Sequence, residues 1–307
     1  MDTTPAQPGL VNWLILLALG AVWGSAFMAM EIALTGFGPW WVAALRTSMG
    51  APVLLAAAQL SGQGIGQVSK AGAWGYVAPV GVIGMALPFF LLSWGQQHVP
   101  SAFAGVAMGS LPIVLVPLAF IFLRDEVITP VRILGLLVGF GGLVLLIGPG
   151  AFEAGAGDMT LLGRLSCLSA VVCYSAASII TRRSPKVPPL AFSAGILTVA
   201  SAVLLPVALI LEGVPRGFGA GAAMAAVYAA LFPTALAAYW RVRVIKSAGS
   251  VFMSLVAYII PVFSVLFGVL LLGEELQPGL YAALALILTG IAISQSSSII
   301  GLFWRRG

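Results

Sequence analysis

Apolar residues in this chain do not alternate with polar ones. They run on in long blocks, and the polar positions collect between the blocks. Ten blocks can be read, near 11–33, 40–60, 73–95, 101–123, 131–150, 159–181, 188–211, 221–243, 249–272 and 279–299. At about 20 residues each, they are long enough to cross the hydrocarbon core of a bilayer as helices. Lipid offers no partner for backbone N–H and C=O groups, so a spanning segment is a helix or part of a closed barrel. Runs this long and uniformly apolar exceed barrel strands. The pattern therefore predicts an all-α polytopic membrane protein with ten transmembrane helices.

The blocks also repeat. Pro112, an apolar run and Leu123-Arg124-Asp125-Glu126 return as Pro261, an apolar run and Leu272-Gly273-Glu274-Glu275, at an offset of 149 that also carries Gly141 onto Gly290. An offset of 150 superposes Val22, Ser25, Ala26 and Pro39 on Val172, Ser175, Ala176 and Pro189, while Pro88 meets Pro233 at 145. The unit holds five spans, an odd number, so the second copy must enter the membrane from the opposite side. The expectation is two inverted five-helix repeats, residues 1–150 and 151–307, forming one membrane domain with a substrate site where the halves meet.

Composition sharpens this picture. With 61% apolar residues, 7% charged ones and a mean hydropathy of +1.10, the bilayer is the solvent for this chain. Residues 1–10 hold no Lys or Arg, and the first apolar run is span-length, so it reads as a helix and not a secretory signal. The net charge of +5 is no nucleic-acid patch, because the basic residues follow the loops. With the N-terminus inside, eleven lie on the cytoplasmic side (Lys70, Arg124, Arg132, Arg182, Arg183, Lys186, Arg241, Arg243, Lys246, Arg305, Arg306) and two, Arg164 and Arg216, outside. That bias predicts both termini in the cytoplasm, in a protein of a bacterial inner membrane. Cys167 and Cys173 share one predicted helix on different faces and read as packing residues.

Small residues four apart, Gly20 and Gly24, Gly105 and Gly109, Gly135 and Gly139, read as close helix contacts. Pro88, Pro112, Pro233 and Pro261 fall inside spans, where each removes a backbone hydrogen bond. Paired across the repeat, they predict kinks at equivalent places, suited to a rocking mechanism.

Trp23-Gly24-Ser25-Ala26-Phe27, Ala44-Leu45-Arg46 and the two Pro–apolar–Glu phrases ending at Glu126 and Glu275 together resemble the ten-helix, EamA-type branch of the drug/metabolite transporter superfamily. The likeness spans nearly the whole chain. Length and an aromatic-rich interior look most like the YddG-type exporters of aromatic amino acids. One departure is Glu31, where that family often has Lys.

Intramembrane ionisable groups are costly, and are usually paired or functional. Arg46 and Glu31 are expected to pair and fasten the first helix to the second. Glu126 and Glu275, with Asp125 and Glu274, precede the fifth and tenth helices, where negative charge complements the helix dipole. The cavity candidates are aromatic, sulfur and hydroxyl residues: Trp23 and Ser25; Tyr174, Ser175 and Ser178; Phe89, Trp94, Tyr228, Thr234 and Tyr239; Met108, Met253, Ser254 and Tyr258. Such a lining suits a ligand with an aromatic or aliphatic body and a small polar head.

An intramembrane enzyme needs a nucleophile, base or metal set. The single histidine, His98, lies at the outer end of the third span, and no metal motif or central carboxylate is present. No cofactor is expected. A channel or receptor gives no reason for paired prolines in an inverted repeat. The expected function is a secondary transporter, exporter or facilitator, of neutral amino acids including aromatic ones and methionine, with other small metabolites or drugs as the alternative.

Overall fold

The computed structural model describes residues 9–122, 129–147 and 159–296. Among these residues all regular structure is helical. Nine helices have the length and apolarity to cross a membrane: α1 (Leu10–Leu34), α2 (Pro39–Leu60), α3 (Trp74–Gly95), α4 (Ser101–Phe122), α5 (Pro130–Ile147), α6 (Met159–Arg183), α7 (Pro189–Glu212), α8 (Ala220–Ile245) and α9 (Phe252–Leu272). A shorter apolar helix, α10 (Pro278–Ser294), follows where a tenth span is expected. Its 17 residues are about 25 Å of helix, at the short end of what crosses the core.

Local chemistry places the helix starts. Proline occupies the first turn of α2, α7 and α10, where its missing N–H is no loss. Gly273, at φ 68°, ends α9 in the left-handed conformation, and the N–H of Glu274 closes back on Gly268 O at 3.0 Å. One boundary differs from the sequence reading: helix runs to Ser254 and resumes at Val256, so there is no polar loop between α8 and α9.

Packing partners include α5 with α10, α2 with α7, α1 with α9, α4 with α6, α3 with α6 and α1 with α8, and also α4 with α9 and α2 with α8. Adding five to each helix number carries α1·α9 onto α6·α4 and α1·α8 onto α6·α3, while α2·α7 and α5·α10 map onto themselves.

The small-residue stripes are helix contacts, as the spacing predicts. A Cβ on Gly24 would lie 2.6 Å from Phe263 Cβ, and one on Gly20 2.7 Å from Ile259 Cβ, so α1 approaches α9 at backbone distance. Gly105 and Gly109 meet Ser264 and Pro261 from the other side. Gly135 and Gly139 lie against Gly290 and Ser294 where α5 meets α10.

The prolines disturb equivalent helices. In α3 a π-helical stretch, Val82–Ala86, ends just before buried Pro88, and in α8 the π-helical stretch Ala230–Leu236 contains Pro233. A π-turn absorbs the missing hydrogen bond by widening the helix by one residue. Helix α4 is interrupted at Ser110, two residues before Pro112, whereas Pro261 lies inside Val256–Leu272, six residues beyond the break at Leu255.

Candidate functional site

The two halves of the chain meet in a buried polar hub. Trp23 of α1 donates its indole N–H to Pro233 O in α8 at 3.0 Å. The π-turn bears on that carbonyl: the register slips there, and Ala237 N–H goes to Phe232 O and Thr234 O instead of Pro233 O. Two residues on, the Ser25 hydroxyl donates to Val22 O at 2.9 Å, which leaves the Tyr228 hydroxyl as the donor in their 2.6 Å contact.

Arg46 of α2 reaches the same stretch of α8. Its Nε donates to Thr234 Oγ1 at 2.9 Å, and Thr234 passes its own proton to Ala229 O, five residues back in the π register. Its Nη1 donates to Met30 Sδ at 3.3 Å, and the guanidinium carbon stands 4.0 Å over the Phe89 ring of α3. Tyr174 of α6 is within electrostatic reach. The side chain is 7% exposed.

This corrects the expected Arg46–Glu31 pair. Glu31 stands half-buried, accepting from the Gln96 side-chain amide at 3.3 Å, while that amide also donates to Phe27 O at 2.9 Å. Both charges sit toward one end of their helices, but Met30 and not Glu31 faces α2, because consecutive helical residues point about 100° apart.

One carboxylate at a helix end has a different job from the expected one. Glu274 does not serve α10; it accepts from the N–H groups of Ser101 and Ala102, at 2.7 and 3.1 Å, at the start of α4. The left-handed turn at Gly273 points it there. Glu212, unremarked in the sequence, accepts from Trp40 N and Trp41 N at 3.1 Å each, and Trp41 also donates its indole N–H to Gly213 O at 2.7 Å. The end of α7 thus caps the start of α2, and reciprocally Gln63 after α2 accepts from Leu190 N at the start of α7, at 3.3 Å. Glu275 is exposed, and Asp125 and Glu126 lie outside the described residues.

The remaining candidates divide. Ser175 and Ser178 return their hydroxyls to Val171 O and Tyr174 O, and Met108 packs against the main core. Trp94 sets its edge against His98 at 4.8 Å. Met253 is core beside Leu16 and Leu19, and Ser254 donates to Gln295 Oε1 at 3.2 Å. The Tyr258 hydroxyl is buried without a described partner. Tyr239 is 46% exposed and, five residues beyond Thr234, points about 140° away from it around the helix. Met30, Gln96 and Glu212 are contributors that the sequence did not single out. A hollow of about 230 Å³ lies elsewhere, at the surface between α2 and α3, lined by Gln59, Gln67, Lys70 and neighbouring glycines.

With this geometry in hand, comparison with known proteins decides the kind of molecule. The profile of the EamA-like transporter family matches twice, at residues 11–148 and 161–295. The chain belongs to the EamA-like transporter family. It is therefore an integral membrane protein whose relatives are named as transporters and exporters. An uncharacterised transporter of Archaeoglobus fulgidus is 26% identical over 288 residues, 92% of this chain and 98% of its own. The "Probable terminal-alkyne amino-acid exporter" of Streptantibioticus cattleyicolor is 25% identical over 291 residues, 92% of each chain. A solved crystal structure superposes with a TM-score of 0.67 over 94% of this chain and 99% of that one; at 23% identity it shows the shared fold alone.

Proposed function

We propose that this EamA-like protein is a secondary transporter that moves neutral amino acids, aromatic ones and methionine included, by alternating access between two inverted halves, residues 1–150 and 151–307. The observation that carries the reading is the hub itself. Three side chains of the first half, Trp23, Ser25 and Arg46, are bonded to one stretch of α8 in the second, Tyr228 to Thr234. That stretch is π-helical, and α3 carries its counterpart, so the halves are joined at the places where their helices bend most readily.

The double match to the family profile supports the repeat, and with five spans in each half the second copy would be inverted. The excess of basic residues in one set of loops supports a reading with both termini on the cytoplasmic side, in a bacterial inner membrane. The aromatic walls, Trp23, Phe89, Tyr174 and Tyr258, suit an apolar side chain, and the name of the Streptantibioticus relative brings amino acids in as the substrate class. The resemblance to YddG-type aromatic exporters points the same way. Purified protein in proteoliposomes should show saturable counterflow of phenylalanine and methionine. Flux restricted to phosphorylated compounds or nucleotide sugars would overturn the substrate class, and a non-saturating conductance would make the protein a channel.

A further inference from the structure

The charge on Arg46 is buried without a counter-ion. It lies seven residues into α2, about 10 Å from that helix's start, and among the described residues no carboxylate pairs with it. Transferring a cation out of water is strongly unfavourable unless an opposite charge and hydrogen bonds meet it.

What meets it here is neutral. The guanidinium has five N–H donors; Nε is taken by Thr234 and one Nη1 proton by Met30 sulfur, a weak acceptor, so three have no described acceptor. Thr234 accepts from Nε alone and donates its own proton to Ala229 O. Phe89 covers one face of the guanidinium plane, and along the terminal Nη1–Nη2 edge the Met30 sulfur is the one described acceptor. That edge is the fork that binds a planar carboxylate through two parallel hydrogen bonds. The groups that hold the fork come from α1, α3 and α8, with Tyr174 of α6 nearby, so both halves of the chain sense whatever occupies it.

The geometry points to Arg46 as the anchor for a carboxylate on the transported molecule: the ligand is a monocarboxylate or zwitterion with an apolar body, bound by the terminal edge of the guanidinium in place of the Met30 sulfur. This rests on the transport reading above and names the group that the site recognises. Arg46 does more than fasten helices, because a fastening cation would be met by a protein carboxylate, and Glu31, close in sequence to Met30, is engaged by Gln96 instead.

The test compares phenylalanine with phenylalaninamide and phenethylamine in proteoliposomes holding the full chain. Wild type should carry the acid ~10-fold faster or more, the size of one charge-assisted contact, and 3-phenylpropionate should compete where phenethylamine does not. Arg46→Gln should bring the acid-to-amide ratio close to one, and Arg46→Lys should restore part of the preference. If wild type carries the amide as fast as the acid, or if phenyl phosphate competes in place of 3-phenylpropionate, the carboxylate anchor is wrong while the transport reading stands. If only compounds without a carboxyl group show saturable flux, or if nothing does, the amino-acid reading itself falls. The wild-type arms decide the question even if Arg46→Gln fails to fold.

Discussion

The indole N–H of Trp23 in α1 ends on the carbonyl oxygen of Pro233 in α8, 3.0 Å away and 210 residues further along the chain. A tryptophan of the family-like phrase in the first half is thus bonded to a backbone carbonyl within the π-helical turn of the second. The ring and the N–H have separable roles. Trp23→Phe keeps the apolar wall and strands the carbonyl, which should lower the melting temperature by the equivalent of about 1–2 kcal/mol and leave most of the flux. Trp23→Ala and Tyr258→Ala should each reduce flux more than Leu270→Ala, at a residue 73% exposed on the outside of the bundle. Equal flux in all three would remove the aromatic wall from the transport path.

Glu212 joins α7 to the first turn of α2 through two backbone N–H groups. Glu212→Ala removes a charge-assisted cap and should cost about 1–2 kcal/mol of stability in detergent melts. Glu212→Gln keeps an acceptor without the charge and should cost roughly half of that. A Gln variant as damaged as the Ala variant would mean that charge, and not hydrogen bonding, holds the contact.

The α5–α10 contact depends on the absence of side chains. A Cβ on Gly290 would lie 2.6 Å from Gly139 Cα, so Gly290→Leu forces two backbones apart and should destabilise by ~3 kcal/mol. Gly141→Leu, on the same helix pair but with nothing within 4 Å of its Cβ, should be tolerated. Comparable expression and melting of the two variants would contradict the packing.

Because Arg46 is bonded to Thr234 and Glu31 to Gln96, Arg46→Ala and Glu31→Gln should act independently. Their combined effect on melting should equal the sum of the single effects within about 0.5 kcal/mol. Arg46→Ala with Thr234→Val should be non-additive. A double-mutant cycle with the opposite pattern would restore the Arg46–Glu31 pair.

Orientation can be read by labelling. In a background with Cys167 and Cys173 changed to Ala, Arg216→Cys should react with an impermeant maleimide from outside and Pro185→Cys only from inside. The reverse pattern would turn the whole topology over.

Most of the architecture is written in composition. Long apolar runs leave a chain in lipid one choice, the helix, because only a helix satisfies its own backbone. The Gly20–Gly24, Gly105–Gly109 and Gly135–Gly139 spacings likewise foretell close contacts, since a missing side chain has the same meaning wherever the partner lies. The prolines at 88 and 233 foretell disturbed helices, because the lost N–H is a property of the residue itself.

Partnership is another matter, because it depends on where helices distant in the chain come to lie. Arg46 and Glu31 read as an ion pair from their types and closeness in sequence; only the packing of α8 against α2 brings Thr234 to the guanidinium and turns Glu31 toward Gln96. Glu274 and Glu275 are indistinguishable as residue types, yet the turn at Gly273 sends one to the start of α4 and leaves the other exposed. Tyr239 reads as well as Tyr174 for a site residue, yet its position around α8 leaves it 46% exposed while Tyr174 packs against the main core. The sequence by itself determined the solvent, the helices and their close-contact faces, since these follow from local chemistry. The tertiary structure decided which polar group meets which, since a hydrogen bond requires two atoms to lie within about 3 Å, and residue type carries no such distance.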